Sequence, residues 1–330
     1  MSTNIISCVD PLGFPFKTAD PFIFCVYHND NYPAGDEKMQ APSKLLWRGS
    51  GADFNPKAPY RMYHGDRVPG FPQHPHRGFE TVTATLQGTI DHTDSCGNAG
   101  RYGGGDLQWM TAGRGVVHGE MFPLIHSDKP NTLRLFQIWL NLPKSSKMVD
   151  PGFAMHWAEE IPHIVSDDGK SDVTVWAGSP AGSGKVGLPP PPDSYGSRDE
   201  ADLGIFLIKL SPGGTYTLPP AKGGASTTRT AYFVEGIAVV VGNTSITQHC
   251  AVTIHAQYDA QFSNPSSDVS EVLILQGKPI GEPVAHSGPF VMNTQAELQQ
   301  AYADYQRTQF GGWPWQDDAV VFPKDKGRFS

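Results

Sequence analysis

Hydrophobic residues in this chain fall in short runs rather than at helical spacing. FETVTATL (79–86), LRLFQIWLNL (133–142), LGIFLIKL (203–210), AYFVEGIAVVVG (231–242) and EVLILQG (271–277) are separated by segments rich in glycine, proline and small polar residues. Such runs read as short strands joined by turns, so the expectation is an all-β fold. The strand pattern runs to residue 143, lapses through KSSKMVDPGFAMHWAEEIP (144–162) and resumes at DVTVWAG (172–178). A second interruption, SPAGSGKVGLPPPPDSYGSRDEAD (179–202), is too rich in Pro, Gly and Ser for a regular element and reads as a surface insertion. The second half then repeats the β pattern of the first. With 330 residues there is material for two cores, which predicts two tandem β-barrels over 1–158 and 159–330. One helix is signalled near the end of the chain. Thr294 and Glu297 form a capping box ahead of Leu298, Tyr302 and Tyr305 at i, i+4 and i+7, and the tail from Phe310 reads as a segment packed across a domain.

Composition narrows the function classes. The chain holds 36 Gly and 29 Pro, and its formal net charge is −8 with no basic block, so direct nucleic-acid binding is not expected. No apolar run reaches the roughly 18 residues of a membrane span, and the first residues lack the basic and apolar regions of a secretory signal. Cys8, Cys25, Cys96 and Cys250 are far apart and form no C-x-x-C, which fits reduced thiols in a cytoplasmic protein.

The chemistry concentrates in HPHRGFE (74–80) and VVHGE (116–120). Side chains two apart on a strand share a face, so His74 with His76, and His118 with Glu120, can each grip one ion. Three imidazoles and a carboxylate, without a thiolate, suit a first-row metal kept partly open to solvent. The alternative is a set of histidines satisfied within a polar core. Glu80 shares the parity of His74 and His76, and Val82, Ala84 and Leu86 continue it, which would aim the histidines into a barrel interior. His249 and His255 lack an H-x-H or H-x-E partner and read as structural, leaving the second barrel without a metal.

HPHRGFET (74–81), GDLQWMTAGRG (105–115) followed by H-x-E, and GPFVMNT (288–294) closely resemble the pirin family, two-barrel members of the cupin superfamily. The likeness runs from about residue 45 to 305. It implies two tandem cupin (jelly-roll) barrels with a short C-terminal helix, the first barrel binding one iron (Fe2+ or Fe3+) through His74, His76, His118 and Glu120. Manganese, nickel, cobalt, copper or zinc would satisfy the same ligands. The resemblance places Glu80 beside the ligands rather than among them and leaves the roles of Arg77 and Gln108 open. It implies one of two activities, with a bare metal-binding fold as the third reading. One is a quercetin 2,3-dioxygenase acting on a flavonol with O2; the chemistry of the donor set would then make Glu120 the base for the 3-hydroxyl if it detaches or shifts from the ion. The other is an iron-dependent nuclear co-regulator binding a transcription-factor partner. A monomer is expected in either case.

Overall fold

The computed structural model describes residues 4–45 and 52–330. Among them are 22 strands, several single-turn 3₁₀ segments and one α-helix. The chain forms two compact units whose make-up differs from the linear division at 158/159. One unit combines 1–25 with 159–281, and the other combines 26–158 with 282–330. Each unit takes in a terminal segment from the far end of the chain. Hydrogen bonding shows why. The first strand, β1 (Ile6–Pro11), pairs antiparallel with Cys250–Ile254, and the 282–330 segment finds its partners in the histidine-bearing half.

The first unit packs a seven-stranded sheet with a four-stranded one. The larger sheet runs β1, Cys250–Ile254, Thr228–Glu235, Ser270–Gly277, Gly204–Leu210, Ser171–Ala177 and His163–Val165. Alternate residues of these strands, among them Val173, Phe206, Ile208, Phe233, Val272 and Ile274, meet Leu218, Val239 and Phe262 of the smaller sheet in one continuous apolar core.

The second unit carries the histidines. Its barrel strands are β2 (Phe22–Tyr32, which begins in the other unit's share of the chain), β3 (Gly70–His76), β4 (Phe79–Gln87), β5 (Thr89–Asp94), β6 (Ala99–Gly103), β7 (Leu107–Thr111), β8 (Val116–Met121), β9 (Asn131–Asn141) and β10 (Gly152–His156). They form two antiparallel sheets, in the orders β10-β7-β4-β9-β2 and β3-β8-β5-β6. The jelly-roll expectation therefore holds.

Helix α1 (Gln295–Thr308) starts as the sequence indicates. Thr294 Oγ1 accepts from Glu297 N at 3.2 Å, and Glu297 Oε2 accepts from Thr294 N at 2.9 Å. Leu298 and Ala301 are its buried residues, and Tyr305 packs against the same cluster with Phe290 and Phe310. Tyr302, expected in the stripe, is 37% exposed and donates to Ser287 O instead. Arg77 ties the helix down: its guanidinium bonds Asp304 Oδ2 at 2.9 Å and Arg114 O at 2.6 Å and lies 4.4 Å from the Phe310 ring. That makes Arg77 a structural clamp.

The tail lies along the β3-β8-β5-β6 sheet. Buried Arg101 on β6 forms a two-pronged pair with Asp91 on β5, both contacts 2.7 Å, and donates to the carbonyls of Phe322, Pro323 and Lys326. Trp315 Nε1 donates to Asp94 O, and Gln73 N donates to Asp318 O. Among the described residues no helix is long and apolar enough to cross a membrane.

Candidate metal centre

The site is built on three neighbouring strands. Partners directly opposite in an antiparallel ladder point to the same face. His74 on β3 faces His118 on β8, which faces Asp94 on β5; in the next row Phe71 faces Glu120, which faces His92. Phe71 and His74 are three apart, whereas their partners Glu120 and His118 are two apart, so β3 carries one extra residue here. This bulge keeps Phe71 and His74 on one face, and tail residue Asp318 takes up the Gln73 N–H that it frees. Gly70 allows the approach. It has φ +133°, and a Cβ there would lie 2.5 Å from Glu120 O.

This geometry brings the three histidines together. The ring centroids of His74 and His118 are 4.4 Å apart, those of His74 and His76 4.8 Å, and those of His76 and His118 4.9 Å. One nitrogen from each lies within 4.8 Å of the others, a grouping that could hold a metal ion. Glu120 sits at its margin, with Oε2 3.9 Å from His118 Nε2. His74 Nδ1 lies 2.9 Å from Pro72 O, which fixes the proton on Nδ1 and leaves Nε2 as a lone-pair donor.

Burial sets the charge states. His74 is pushed down to about 4, chiefly by loss of solvation, with its hydrogen bond to Pro72 partly opposing this. His76 and His118 are held well below the usual range by burial and then by neighbouring histidines. All three are neutral at neutral pH, the form that ligates. Burial raises the Glu120 carboxyl, against the opposing influence of His92 and Thr83. His118 is fully buried, and neither of its nitrogens has a hydrogen-bond partner. A buried imidazole without partners is costly unless an ion or ligand engages it, so the donor set fits a bound cation.

Two sequence expectations need correction here. Glu80 does not stand beside the histidines: its carboxylate accepts from Trp109 Nε1 at 2.9 Å and Thr111 Oγ1 at 2.8 Å. Val82 and Ala84 share its side of β4, and the opposite side, with Thr81 and Thr83, faces the site. Thr83 Oγ1 is 3.1 Å from Glu120 Oε1, and Trp139, the ladder partner of Thr81, packs 5.4 Å from His76. Strand parity was carried from β3 into β4 across Arg77–Gly78, but that turn resets it. Gly78 has φ +85°, and a Cβ would lie 2.0 Å from Val291 O.

Gln108 does belong to the interior. It is fully buried opposite Thr83, accepts from Tyr102 OH at 3.3 Å, and its amide nitrogen has no hydrogen-bond partner. Sequence reasoning missed His92, Thr83 and Gln137. His92 is fully buried, its ring 5.5 Å from that of His118 and its Nε2 3.6 Å from Asp94 Oδ2. The available signal was alternation within TIDHTD, which aligns His92 with Asp94. A lone histidine without a paired motif did not draw attention to it.

Two jelly-roll barrels in one chain, one of them with a histidine cluster facing its interior, define a bicupin. Family models agree: the Pirin model matches residues 16–140, and the Pirin C-terminal cupin domain matches 205–311. The chain is 39% identical over 241 residues to a pirin-like protein of Solanum lycopersicum, covering 72% of this chain and 75% of that one. It is 36% identical over 264 residues to human Pirin, covering 78% and 84%. The crystal structure of a quercetin 2,3-dioxygenase from Acinetobacter baumannii superposes with a TM-score of 0.69 at 28% identity, covering 93% of this chain and 96% of that one. The chain belongs to the pirin family.

Proposed function

We propose that this pirin is a metal-dependent flavonol 2,3-dioxygenase whose ion, iron in the first instance, is held by His74, His76, His118 and Glu120. The convergence of three neutral imidazoles, those of His76 and His118 buried, carries this reading, the pair of unpartnered nitrogens on His118 most of all. The likeness to the Acinetobacter baumannii quercetin 2,3-dioxygenase supports the substrate class. A divalent cation held by these donors supplies positive charge that lowers the pKa of a bound hydroxyl oxygen.

The protein's own residues supply the rest. Burial of His76, His118 and Glu120 excludes bulk water and strengthens each electrostatic contact. On shifting off the ion, Glu120, its carboxyl raised by burial, would take the proton of a flavonol 3-hydroxyl on Oε2, the oxygen nearer His118, while Oε1 stays engaged by Thr83. The side-chain nitrogen of Gln108 offers a donor inside the barrel for a substrate oxygen.

The test is elemental analysis of purified protein together with O2 uptake and carbon monoxide release on a panel of flavonols. One equivalent of metal and stoichiometric carbon monoxide are expected. Fully loaded protein that releases none, tested with Fe, Mn, Ni, Co and Cu, would overturn the dioxygenase reading. Binding of a transcription factor with different affinity in the Fe(II) and Fe(III) forms would then be the activity to examine.

A further inference from the structure

Glu120 is not held by its own strand alone. Across the barrel interior, Thr83 on β4 places its hydroxyl 3.1 Å from Glu120 Oε1 and 2.7 Å from Gln137 Oε1 on β9. Thr83 and Gln137 are direct ladder partners, so the contact between them is set by register. Thr83 is buried, and Gln137 is half-buried.

A threonine hydroxyl has one proton and cannot donate to two acceptors. A carboxylate ligand has only lone pairs, so the proton belongs on the Glu120 side. The Gln137 amide must then turn its NH2 toward Thr83, a choice between nearly isosteric ends. The nearby Tyr102 hydroxyl donates to Gln108 Oε1 at 3.3 Å and also bonds Thr83, but a negative carboxylate is the stronger acceptor, so the Thr83 proton goes to Glu120. The result is a directed chain from Gln137 to Thr83 to Glu120 Oε1, with Oε2 left facing His118 Nε2 at 3.9 Å.

We propose that Thr83 is the positioning residue of the metal centre: by occupying Oε1 it holds the Glu120 carboxylate so that Oε2 alone is presented to the ion, with Gln137 orienting the Thr83 hydroxyl. This rests on the ligand set proposed above and concerns a residue outside that set. The two sheets of the barrel thereby cooperate in the site, one bearing the ligands and the other setting the angle of the carboxylate. Hydrogen bonds of this kind to ligating groups matter for affinity as well as turnover.

The test uses the full-length chain and Co(II) alone, read by chelator competition and by the d–d absorption of the bound ion. Thr83→Val keeps the branched shape and removes the hydroxyl. It should weaken Co(II) binding by roughly 10- to 100-fold and shift the d–d bands. Thr83→Ser should restore both, and Gln137→Leu should show a smaller loss in the same direction. Folding of each variant is checked by circular dichroism and thermal melting. A folded Thr83→Val protein with wild-type affinity and spectrum would overturn the proposal, as would a Thr83→Ser protein as weak as Thr83→Val. If His118→Ala abolishes Co(II) binding while Thr83→Val does not alter it, the ligand set stands and the positioning role falls. A wild-type chain that takes up no Co(II) overturns both.

Discussion

Both units fold a larger and a smaller antiparallel sheet around an interior, and the two interiors have opposite contents. In the first unit Val173, Phe206, Ile208, Phe233, Phe262 and Ile274 are each no more than 1% exposed and belong to one apolar cluster. In the second, the face of β3, β8 and β5 carries His74, His76, His118, Glu120 and His92, met from β4 and β9 by Thr83 and Gln137. A hydrocarbon interior contributes stability in proportion to the area buried, whereas imidazoles and carboxylates removed from water contribute only when something engages them. The same architecture therefore encloses an apolar core in one unit and a cluster of polar donor groups in the other.

Replacing one residue in each interior should separate these roles. His118→Ala removes a buried ligand that has no protein hydrogen bond. It should abolish stable metal binding, measured as metal content after gel filtration, while the metal-free variant melts at or above the temperature of metal-free wild type; a large loss of metal-free stability would contradict the contrast. Glu120→Gln comes next. It should retain part of the metal and lose roughly 10²- to 10⁴-fold in flavonol turnover if Oε2 takes the substrate proton, the usual range for general-base catalysis. Phe206→Ala should behave in the opposite way, destabilising the protein by about 3–5 kcal/mol in urea unfolding while the folded fraction still binds one metal per chain. The smallest effect is expected from His249→Ala and His255→Ala. His249 lies edge-on to Phe233 with its ring centroid 5.2 Å away, and His255 is edge-on to Tyr258 at 6.4 Å. Both variants should leave the metal equivalents unchanged. A second equivalent lost in either one would erase the distinction between the barrels.

The sequence made some of this visible and concealed the rest for local reasons. The i, i+2 spacing of His74 with His76 and of His118 with Glu120 translates directly into shared faces, and the structure groups the three histidines. The β-rich class and the capped helix at Thr294 were legible because each depends on a few adjacent residues. Parity, however, survives only within one uninterrupted strand. The Gly78 turn reversed it, so Glu80, Val82 and Ala84 were assigned to the wrong side and Thr83 looked like ordinary strand filling. His92 escaped notice because its significance comes from the register between β5 and β8, a pairing no local pattern contains. The exchange of terminal segments was hidden for the same reason: the alternation in β1 shows that it is a strand, and only tertiary hydrogen bonds reveal whose strand it is.

The Arg101 anchor has a consequence for the order in which the molecule can assemble. The Pro323 and Lys326 carbonyls that it binds are 222 and 225 positions further along the chain. All the strands of the histidine-bearing sheets are made by residue 156, yet the segment that covers Asp91 and fills the β3 bulge comes last. At about 5–20 residues per second, a ribosome needs on the order of ten seconds or more to reach it. The other unit faces the reverse situation: β1 is made about 240 residues before its ladder partner Cys250–Ile254 and must wait for it. The seven-stranded sheet of one unit thus waits for residues 250–277, and the cover over Asp91 and the β3 bulge in the other waits for residues 318–326.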